Sequence, residues 1–346
     1  MSGDKSGGAQ PRGERHGTTR SAAPEAALDD IVTAFQVDAL DLRGRTVRLG
    51  PTLDAVLAHH DYPPAVKRVV GEAVTLAVLL GSSLKFEGRF ILQTQTDGPV
   101  DMVVADFVTP DKIRAYARFD KEALAEAEQR NETSPAALIG RGHLAMTIDQ
   151  GISANRYQGV VALDGSGLEE AAHEYFQQSE QIPTRVRLAV GEEMKAGGAA
   201  SSWRAGGLLA QFLPQDASRS RMSDLAPGDA PEGTVPHAVD EDDAWVEARS
   251  LVATLEDVEL IDRDLSSERL LYRLFHERGV RVFDPVPMAA RCSCSRERVS
   301  GVLASFSPEE RRDMIQDDGH VAVTCEFCGR VYKYSAEEVV GGHADS

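Results

Sequence analysis

Four cysteines near the C-terminus constrain this chain of 346 residues more than any other feature of its sequence. Cys292 and Cys294 form a C-x-C pair, and Cys325 and Cys328 form a C-x-x-C pair after an interval of 30 residues. Two close pairs at this separation are typical of a tetrahedral site in which four thiolates bind one zinc ion. Because the chain has 4 cysteines in all, we predict that each of them is a zinc ligand.

The sequence around the second pair predicts the turn that such a site needs. Gly329 directly follows Cys328 and can adopt the positive φ that tight metal-binding turns often require. Segments 320–324 (HVAVT) and 331–334 (VYKY) predict two strands that meet at this turn.

The first pair indicates a redox role. Spacing alone favours a purely structural zinc module, but structural zinc ribbons normally use C-x-x-C twice. A disulfide across C-x-C closes a very small, strained ring, and strained disulfides are the easily reduced, regulatory ones. Positive charge stabilises the thiolates that oxidants attack, and four arginines flank the sulfurs: Arg291, Arg296, Arg298 and Arg330.

The segment that carries the cysteines, from about Pro287 onward, is too small for a substantial core of its own. A bound metal would therefore supply much of its folding free energy, which for structural zinc in small domains is on the order of 10 kcal/mol or more. Oxidation of the ligands would release the ion and unfold the segment. We predict a metal-dependent switch at this end of the chain.

Charge and hydropathy exclude several classes of partner. A formal net charge of -18 and a pI near 4.9 argue against nucleic acid as the main partner, since phosphate binding needs a basic surface. We find no apolar run approaching the roughly 18 residues of a membrane span, and the N-terminus lacks the apolar centre of a secretory signal. We therefore expect a cytoplasmic protein with no membrane partner. In that reducing compartment, clustered cysteines more often bind metal than form structural disulfides.

Composition and periodicity divide the chain into five predicted segments. They are a disordered tail (1–30), an α+β core domain (31–214), an acidic flexible insert (215–243), a helical linker (244–286) and a zinc-binding redox-switch domain (287–346).

Within the core domain, apolar patterning predicts a largely buried helix over 64–84 and an amphipathic helix over 168–181. A further short apolar element covers 205–214. Alternation at period 2 and short apolar runs predict strands at 89–96, 99–108, 112–119, 141–150, 155–163 and 184–190. Strands interrupted by helices favour an α+β sheet with helices packed on it.

The sequence of the linker predicts two amphipathic helices. The first covers 243–260, and the second covers 266–279, with Asp264 or Ser266 as its N-cap and Gly279 as its stop. Their apolar stripes are Trp245, Ala248, Leu251, Val252, Leu255 and Val258 in the first helix, and Leu270, Leu271, Leu274 and Phe275 in the second. Each stripe must pack on another surface, and we expect that surface to be the sheet of the core domain.

Other candidate sites are weaker. His276 and His320 are possible metal ligands, but four thiolates already complete the coordination of zinc. Ser179 lacks a convincing His/Asp partnership and a nucleophile elbow, which favours a role at a helix end over a catalytic one. Gly206-Gly207 lacks the Walker lysine and the full dinucleotide fingerprint, so we expect no requirement for ATP.

Two alternative functions stay open. A zinc-ribbon nucleic-acid-binding protein would need a basic face, and the C-terminal segment is mixed to acidic. A thiol-disulfide oxidoreductase acting through Cys325 and Cys328 would need a helix N-terminus and a thioredoxin-like βαβ context around that pair. The predicted turn and flanking strands do not provide this context.

Phrases throughout the chain resemble the redox-regulated 33-kDa heat-shock chaperonin family, the oxidation-activated holdases. Around the cysteines these phrases are CSCSRERV and CEFCGRVYKY, and LYRLFHERGVRVFDP resembles the family's linker. In the core domain the matching phrases are TDGPV (96–100), YQGVVAL (157–163), YFQQSEQIPT (175–184) and AGGLLAQFLP (205–214). The resemblance covers about residues 31–340, and the tail and the acidic insert look added to it.

The resemblance implies a chaperone that is not an enzyme. When reduced, it holds one zinc ion on the four cysteines and is inactive. Peroxide with mild unfolding, or hypochlorous acid, forms the disulfides Cys292–Cys294 and Cys325–Cys328 and expels the zinc. The switch and linker then unfold, apolar surface is exposed, and oxidised protomers form a homodimer. The active form binds unfolding or oxidatively damaged proteins without ATP.

Overall fold

A computed structural model of the chain describes residues 29–84, 87–150, 156–194, 201–214 and 241–340. In this part of the chain, the protein is an α+β fold with two six-stranded sheets, one two-stranded sheet and surrounding helices. The α+β architecture that the sequence predicts is therefore confirmed. None of the described helices is both long and apolar enough to cross a membrane.

The described strands, in chain order, are β1 (Ile31–Val37), β2 (Leu42–Leu49), β3 (Arg89–Thr96), β4 (Met102–Val108), β5 (Lys112–Arg118), β6 (Arg141–Asp149), β7 (Tyr157–Asp164), β8 (Thr184–Glu193), β9 (Ser202–Phe212), β10 (Arg281–Val282), β11 (Val286–Pro287), β12 (Ala289–Ala290), β13 (His320–Thr324) and β14 (Val331–Ser335). The first sheet has the order β10-β1-β2-β9-β8, with β11 also paired to β1. The second sheet has the order β12-β5-β4-β3-β6-β7, and β13 pairs with β14.

The described α-helices are α1 (Pro51–Leu57), α2 (Pro64–Gly81), α3 (Lys121–Gln129), α4 (Pro135–Ile139), α5 (Leu168–Tyr175), α6 (Asp243–Ala253), α7 (Asp257–Ile261), α8 (Ser267–Phe275), α9 (Arg296–Ala304), α10 (Pro308–Asp313) and α11 (Ala336–Val340).

Helix α2 forms the centre of the main core. Pro64 at its first position suits the helix start, where a backbone N–H has no helical partner. Most of the following side chains are apolar and buried, and they pack between residues of both six-stranded sheets. The helix predicted over 64–84 is confirmed, and it ends at Gly81.

Helices α6 to α8 cover the other face of the first sheet. Phe35 of β1 stacks on Phe275 of α8 at 5.7 Å between ring centroids, and Phe212 of β9 lies 6.2 Å from Trp245 of α6. These residues belong to a second apolar cluster, separate from the core around α2. The prediction that the linker stripes rest on the sheet of the core domain is confirmed for every stripe residue except Val258.

The prediction of one helix over 243–260 is wrong. The two residues after α6 donate their backbone amides to carbonyls three residues back, which tightens the chain and ends the helix. The Glu259 carboxylate then accepts a hydrogen bond from the Glu256 amide at 3.0 Å and starts α7 in a new direction. Val258, predicted in the apolar stripe, is consequently 61% exposed.

The second linker helix follows its prediction closely. The Ser266 hydroxyl accepts a hydrogen bond from the Arg269 amide and caps α8, and Gly279 adopts a φ of 74° beyond its end. All four residues of its predicted stripe are buried.

Most of the predicted tail and insert lies outside the described residues. The described ends of both segments make defined contacts. Asp30 accepts hydrogen bonds from the amides of Gly50 and Thr52 at the start of α1, and Asp242 accepts one from Ala244 as the N-cap of α6.

Side chains of α5 cover the open edge of the first sheet. Strand β8 is an edge strand, so its outward amides need partners from elsewhere. The Val186 amide donates to Nε2 of His173 at 2.8 Å, and the Leu188 amide donates to the Glu169 carboxylate.

Burial, and then the neighbouring carboxylates of Glu169 and Asp257, raise the pKa of Glu72 on α2 to about 8.

We predict that Glu72→Gln stabilises the protein at alkaline pH. The folded state binds the Glu72 proton more tightly than the unfolded state, so ionisation costs stability progressively as pH rises from about 4.5 to 8. A neutral amide avoids that cost. We expect the free energy of unfolding to rise by about 1–3 kcal/mol at pH 9 and to change little at pH 4, as measured by urea titration. The exposed Glu128 on α3 is the control, and an equal gain from Glu128→Gln would contradict the prediction.

A second prediction concerns the contact between α7 and β9. A Cβ atom at Gly206 would lie 2.0 Å from the Leu260 carbonyl oxygen, which is backbone and cannot rotate away. Gly206→Ala should therefore push α7 off the sheet at a cost of about 1–3 kcal/mol. Faster hydrogen exchange of the amides in α6 to α8 would report this shift.

Gly301→Ala in α9 is the matched control, since a Cβ there meets no atom within 4 Å. Unchanged exchange in the Gly206 variant would show that α7 does not depend on this close approach.

Candidate metal centre

The four cysteines lie on two turns that face each other. Cys292 and Cys294 follow β12 and precede α9, while Cys325 and Cys328 occupy the turn between β13 and β14. In that turn, the Gly329 amide donates to the Cys325 carbonyl at 2.8 Å, and Gly329 has a φ of 64°. The predicted strands and the predicted positive φ are both confirmed.

The four sulfur atoms converge to the dimensions of a metal site. All four Sγ atoms lie within 4.8 Å of one another. The Cys292–Cys325 sulfurs are 3.6 Å apart and the Cys294–Cys328 sulfurs 3.4 Å apart. A zinc–sulfur bond of about 2.3 Å puts two ligands of a tetrahedron about 3.8 Å apart, so the donor set fits zinc in both chemistry and spacing. No other His, Cys, Asp or Glu group of three or more among the described residues is this compact.

The thiols of Cys292 and Cys328 have different pKa values even without a metal ion. Burial raises the pKa of the Cys292 thiol, but hydrogen bonds from the Cys294 backbone and from Arg114 outweigh burial and bring this pKa to about 7. Burial raises the pKa of Cys328 to about 12. A bound divalent cation would deprotonate coordinating thiols outright.

The core around these cysteines is small. It contains five buried side chains, with Cys294 and Cys325 packed against them. The five are Leu303, Val321, Tyr332, Tyr334 and Val339. This agrees with the prediction that the cysteine segment has little apolar core, so a metal would contribute a large share of its folding free energy.

One of the four flanking arginines interacts with the sulfurs as expected. Tyr332, and then the Cys294 and Cys328 sulfurs, raise the pKa of Arg330.

Two other flanking arginines act differently from our expectation. Arg296 pairs with Glu338 at 2.7 Å and lies over the ring of Tyr334, and Arg298 donates to the Ser293 carbonyl. These two arginines thus hold backbone and helices of the segment together. Tyr332 was not predicted as part of the site, and its hydroxyl donates to the Cys294 sulfur at 3.1 Å.

The arginine that contacts a cysteine sulfur comes from β5. Arg114 lies 3.6 Å from the Cys292 sulfur and 4.0 Å from the centre of the Phe327 ring. Its guanidinium also pairs with the buried Asp106 carboxylate of β4. One side chain thus joins both cysteine turns to the second sheet. It is 178 positions from Cys292, so no local sequence signal could have identified it.

The same junction is reinforced by backbone pairing. Strand β12 runs parallel to β5, with Ala290 opposite Ile113. The Arg291 amide then donates to the Ile113 carbonyl at 3.0 Å, one residue before the first cysteine.

The weaker candidates lie apart from the sulfur cluster. Nδ1 of His276 lies 3.0 Å from the Tyr272 carbonyl oxygen, and Nδ1 of His320 lies 2.8 Å from the Asp318 carbonyl oxygen. Ser179 is in the π-helical turn that follows α5. The C-x-x-C pair stands between two strands and not at a helix N-terminus, which disfavours thiol-disulfide oxidoreductase chemistry.

Two sheets around a buried helix, a helical cover and a C-terminal four-thiol cluster define an α+β protein with a candidate metal site. The family model described as Hsp33 protein matches residues 30–335. The chain therefore belongs to the Hsp33 family, which confirms the resemblance that its sequence phrases carry.

Relatives and a solved structure agree with this assignment. The chain is 46% identical to the 33 kDa chaperonin of Caulobacter vibrioides over 91% of its own length and 98% of the relative. It is 34% identical to the 33 kDa chaperonin of Pseudomonas putida, over 91% of its own length and 95% of that relative. The crystal structure of the Thermotoga maritima 33 kDa chaperonin, a heat shock protein 33 homolog, shares the fold with a TM-score of 0.67. The two sequences are 20% identical, and the match covers 90% of this chain and 96% of that one. These findings support a chaperone function for the chain.

We predict that Arg114→Met weakens the junction between the cysteine turns and the second sheet. The variant leaves the buried Asp106 carboxylate with Arg89 as its remaining ion-pair partner and removes the stack on Phe327. We expect a loss of about 2–3 kcal/mol in the free energy of unfolding. Hydrogen exchange should accelerate around Cys292 and Phe327.

Arg118→Met is the matched control on the same strand. Arg118 pairs with Asp101 in an exposed ion pair, which is worth about 0–1 kcal/mol. Equal effects of the two substitutions would show that Arg114 has no special role at the junction.

Proposed function

We propose that the protein is a redox-regulated, ATP-independent holdase that prevents aggregation of unfolding and oxidatively damaged proteins. The observation that carries this proposal is the convergence of four thiols directly after a segment that covers an apolar sheet face. Opening the thiol cluster and uncovering that face are thereby linked along one stretch of chain.

In the reduced state, the proposed ligands of one zinc ion are Cys292, Cys294, Cys325 and Cys328. The fit of the sulfur spacing and the small core of the segment support this assignment. When bound, zinc supplies cross-linking and folding free energy without redox chemistry of its own. The Tyr332 hydroxyl and the Arg114 guanidinium donate to two of the sulfurs and hold them in place.

Oxidation converts the thiolates into two disulfides, for which we propose the pairs Cys292–Cys294 and Cys325–Cys328. Four thiolates lose four electrons, two molecules of hydrogen peroxide accept them, and four protons complete the formation of four water molecules. The disulfide sulfurs no longer carry the negative charge of thiolate ligands, so the metal is released. The short cross-turn distances do not favour these pairs over others, so they remain a prediction.

The chain between the cysteines and the helical cover supports transmission of this change. Strands β10 and β11 hold the end of the cover to β1, and β12 holds the next residues to β5. Each of these strands has two residues and few hydrogen bonds. Loss of the folded cysteine segment would weaken these short pairings and leave the cover held by its own packing on the first sheet.

Removal of the cover would expose the apolar face that binds clients. Exposed apolar patches of this kind mark interaction sites, and two such faces also provide a homodimer contact in the oxidised state.

The division into core domain, insert, linker and switch domain is part of the proposal. So are the cytoplasmic location, the absence of nucleic-acid and membrane partners, and the absence of enzymatic activity.

The central test measures light scattering by an unfolding client protein. We expect zinc-loaded, reduced protein to leave aggregation unchanged. Peroxide-treated protein should suppress aggregation at near-stoichiometric amounts, without ATP, and release one zinc ion per chain to a chromophoric chelator. Reduction with dithiothreitol and added zinc should restore the inactive form.

Equal suppression by both forms, or suppression by neither, would refute the switch. Peptide mapping of the oxidised protein tests the disulfide pairs separately, and cross-turn disulfides would overturn only the proposed pairing.

A further inference from the structure

Three arginines lie within the sheet face that the helices α6 to α8 cover. They are Arg48 of β2, Arg187 of β8 and Arg204 of β9. The strand registers put each of them on the same side as the apolar residues under the cover. Arg48 is 2% exposed and Arg204 is 7% exposed. Buried guanidinium groups at such positions need partners, because an unpaired buried charge is costly.

The cover supplies those partners in a consistent way. Arg187 donates to the Leu255 carbonyl at 2.8 Å and pairs with the Asp257 carboxylate at 2.7 Å. Arg204 donates to the Ile261 carbonyl at 2.7 Å.

The same pattern extends to Arg48, which donates to the Asp262 carbonyl. These carbonyls lie at the ends of α6 and α7, where helices have carbonyl groups without helical partners. Arg204 additionally pairs with Asp29, which precedes β1, and Arg187 lies 3.5 Å from the Glu169 carboxylate of α5. These two carboxylates are not part of the cover.

Release of the cover would remove four of these acceptors at once. The uncovered face would then present apolar side chains around guanidinium groups that have lost their acceptors on the cover and kept those elsewhere. A client segment restores the lost interactions only if it brings both apolar groups and negatively charged or carbonyl oxygens. A segment rich in lysine would instead add positive charge beside the three arginines.

We propose that this face selects client segments in which apolar residues alternate with or adjoin carboxylates, and that it disfavours lysine-rich apolar segments. The proposal rests on the proposed holdase function and adds the chemistry of the client. In the covered state, α6 and α7 occupy the face with the same combination of an apolar stripe and acceptor oxygens.

The local charge of the face is opposite to that of the whole protein. The chain carries a formal net charge of -18, which repels acidic clients at long range and is screened by salt. Charge-assisted hydrogen bonds act at contact and are much less screened when partly buried. Selection of acidic clients should therefore appear in the dissociation rate, while association is slowed by the net charge.

The test uses the oxidised full-length protein and two fluorescent peptides of equal length and equal apolar content. One peptide alternates apolar residues with glutamate, and the other has lysine in place of each glutamate. By fluorescence anisotropy at physiological salt, we expect the glutamate peptide to bind roughly tenfold more tightly. In the double variant Arg187→Gln/Arg204→Gln, the two affinities should agree within about twofold.

Two further variants separate charge from folding. Arg187→Lys/Arg204→Lys keeps the charge and should keep part of the preference. Arg130→Gln, at an exposed residue directly after α3, should keep all of it. Equal binding of the peptides by wild-type protein, or tighter binding of the lysine peptide, would overturn the inference. Wild-type protein that suppresses aggregation but shows no preference leaves the holdase function intact, whereas protein that neither suppresses aggregation nor binds either peptide refutes both.

Discussion

The packing of α6 to α8 on the first sheet is the interaction on which the rest of the structure depends. A sheet with one face against α2 and the other against a helical cover is buried on both sides, and its outer face is too apolar to stand in water without cost. The contact is close: β9 has glycine at position 206, directly below the α7 backbone. Because this contact leaves little free space, the cover is expected to move off the sheet as a unit and not by gradual deformation.

The cysteine segment depends on a different source of stability. Its five buried side chains give it little hydrophobic stabilisation, so cross-links between its turns matter far more than they do in the large core. Arg114 then connects this weak unit to the second sheet through Cys292, Phe327 and the buried Asp106. Stability is thus distributed unevenly, with the least self-sufficient part placed next to the chain that continues into the cover.

Buried arginines give the covered face a second property. Apolar contact is non-directional and would accept many partners, whereas guanidinium groups require acceptors in defined positions. The ends of α6 and α7 meet that requirement, which fixes the position of the cover in the closed state. The same groups limit what can replace the cover, so closure and selection of a replacement rest on one set of side chains.

Local patterns by themselves determined much of this protein. The convergence of the four cysteines, the buried α2, most strands and the stripe of α8 were predicted correctly, because each depends on spacing or periodicity within a short segment. The break after α6 was missed, because apolar residues continue at helical spacing across it while backbone capping ends the helix. Tertiary structure alone decided the contact of Arg114 with Cys292 and the placing of Arg48, Arg187 and Arg204 under the cover. These contacts join residues far apart in sequence, and an arginine on an alternating strand has the same local signature whether its side faces water or a helix.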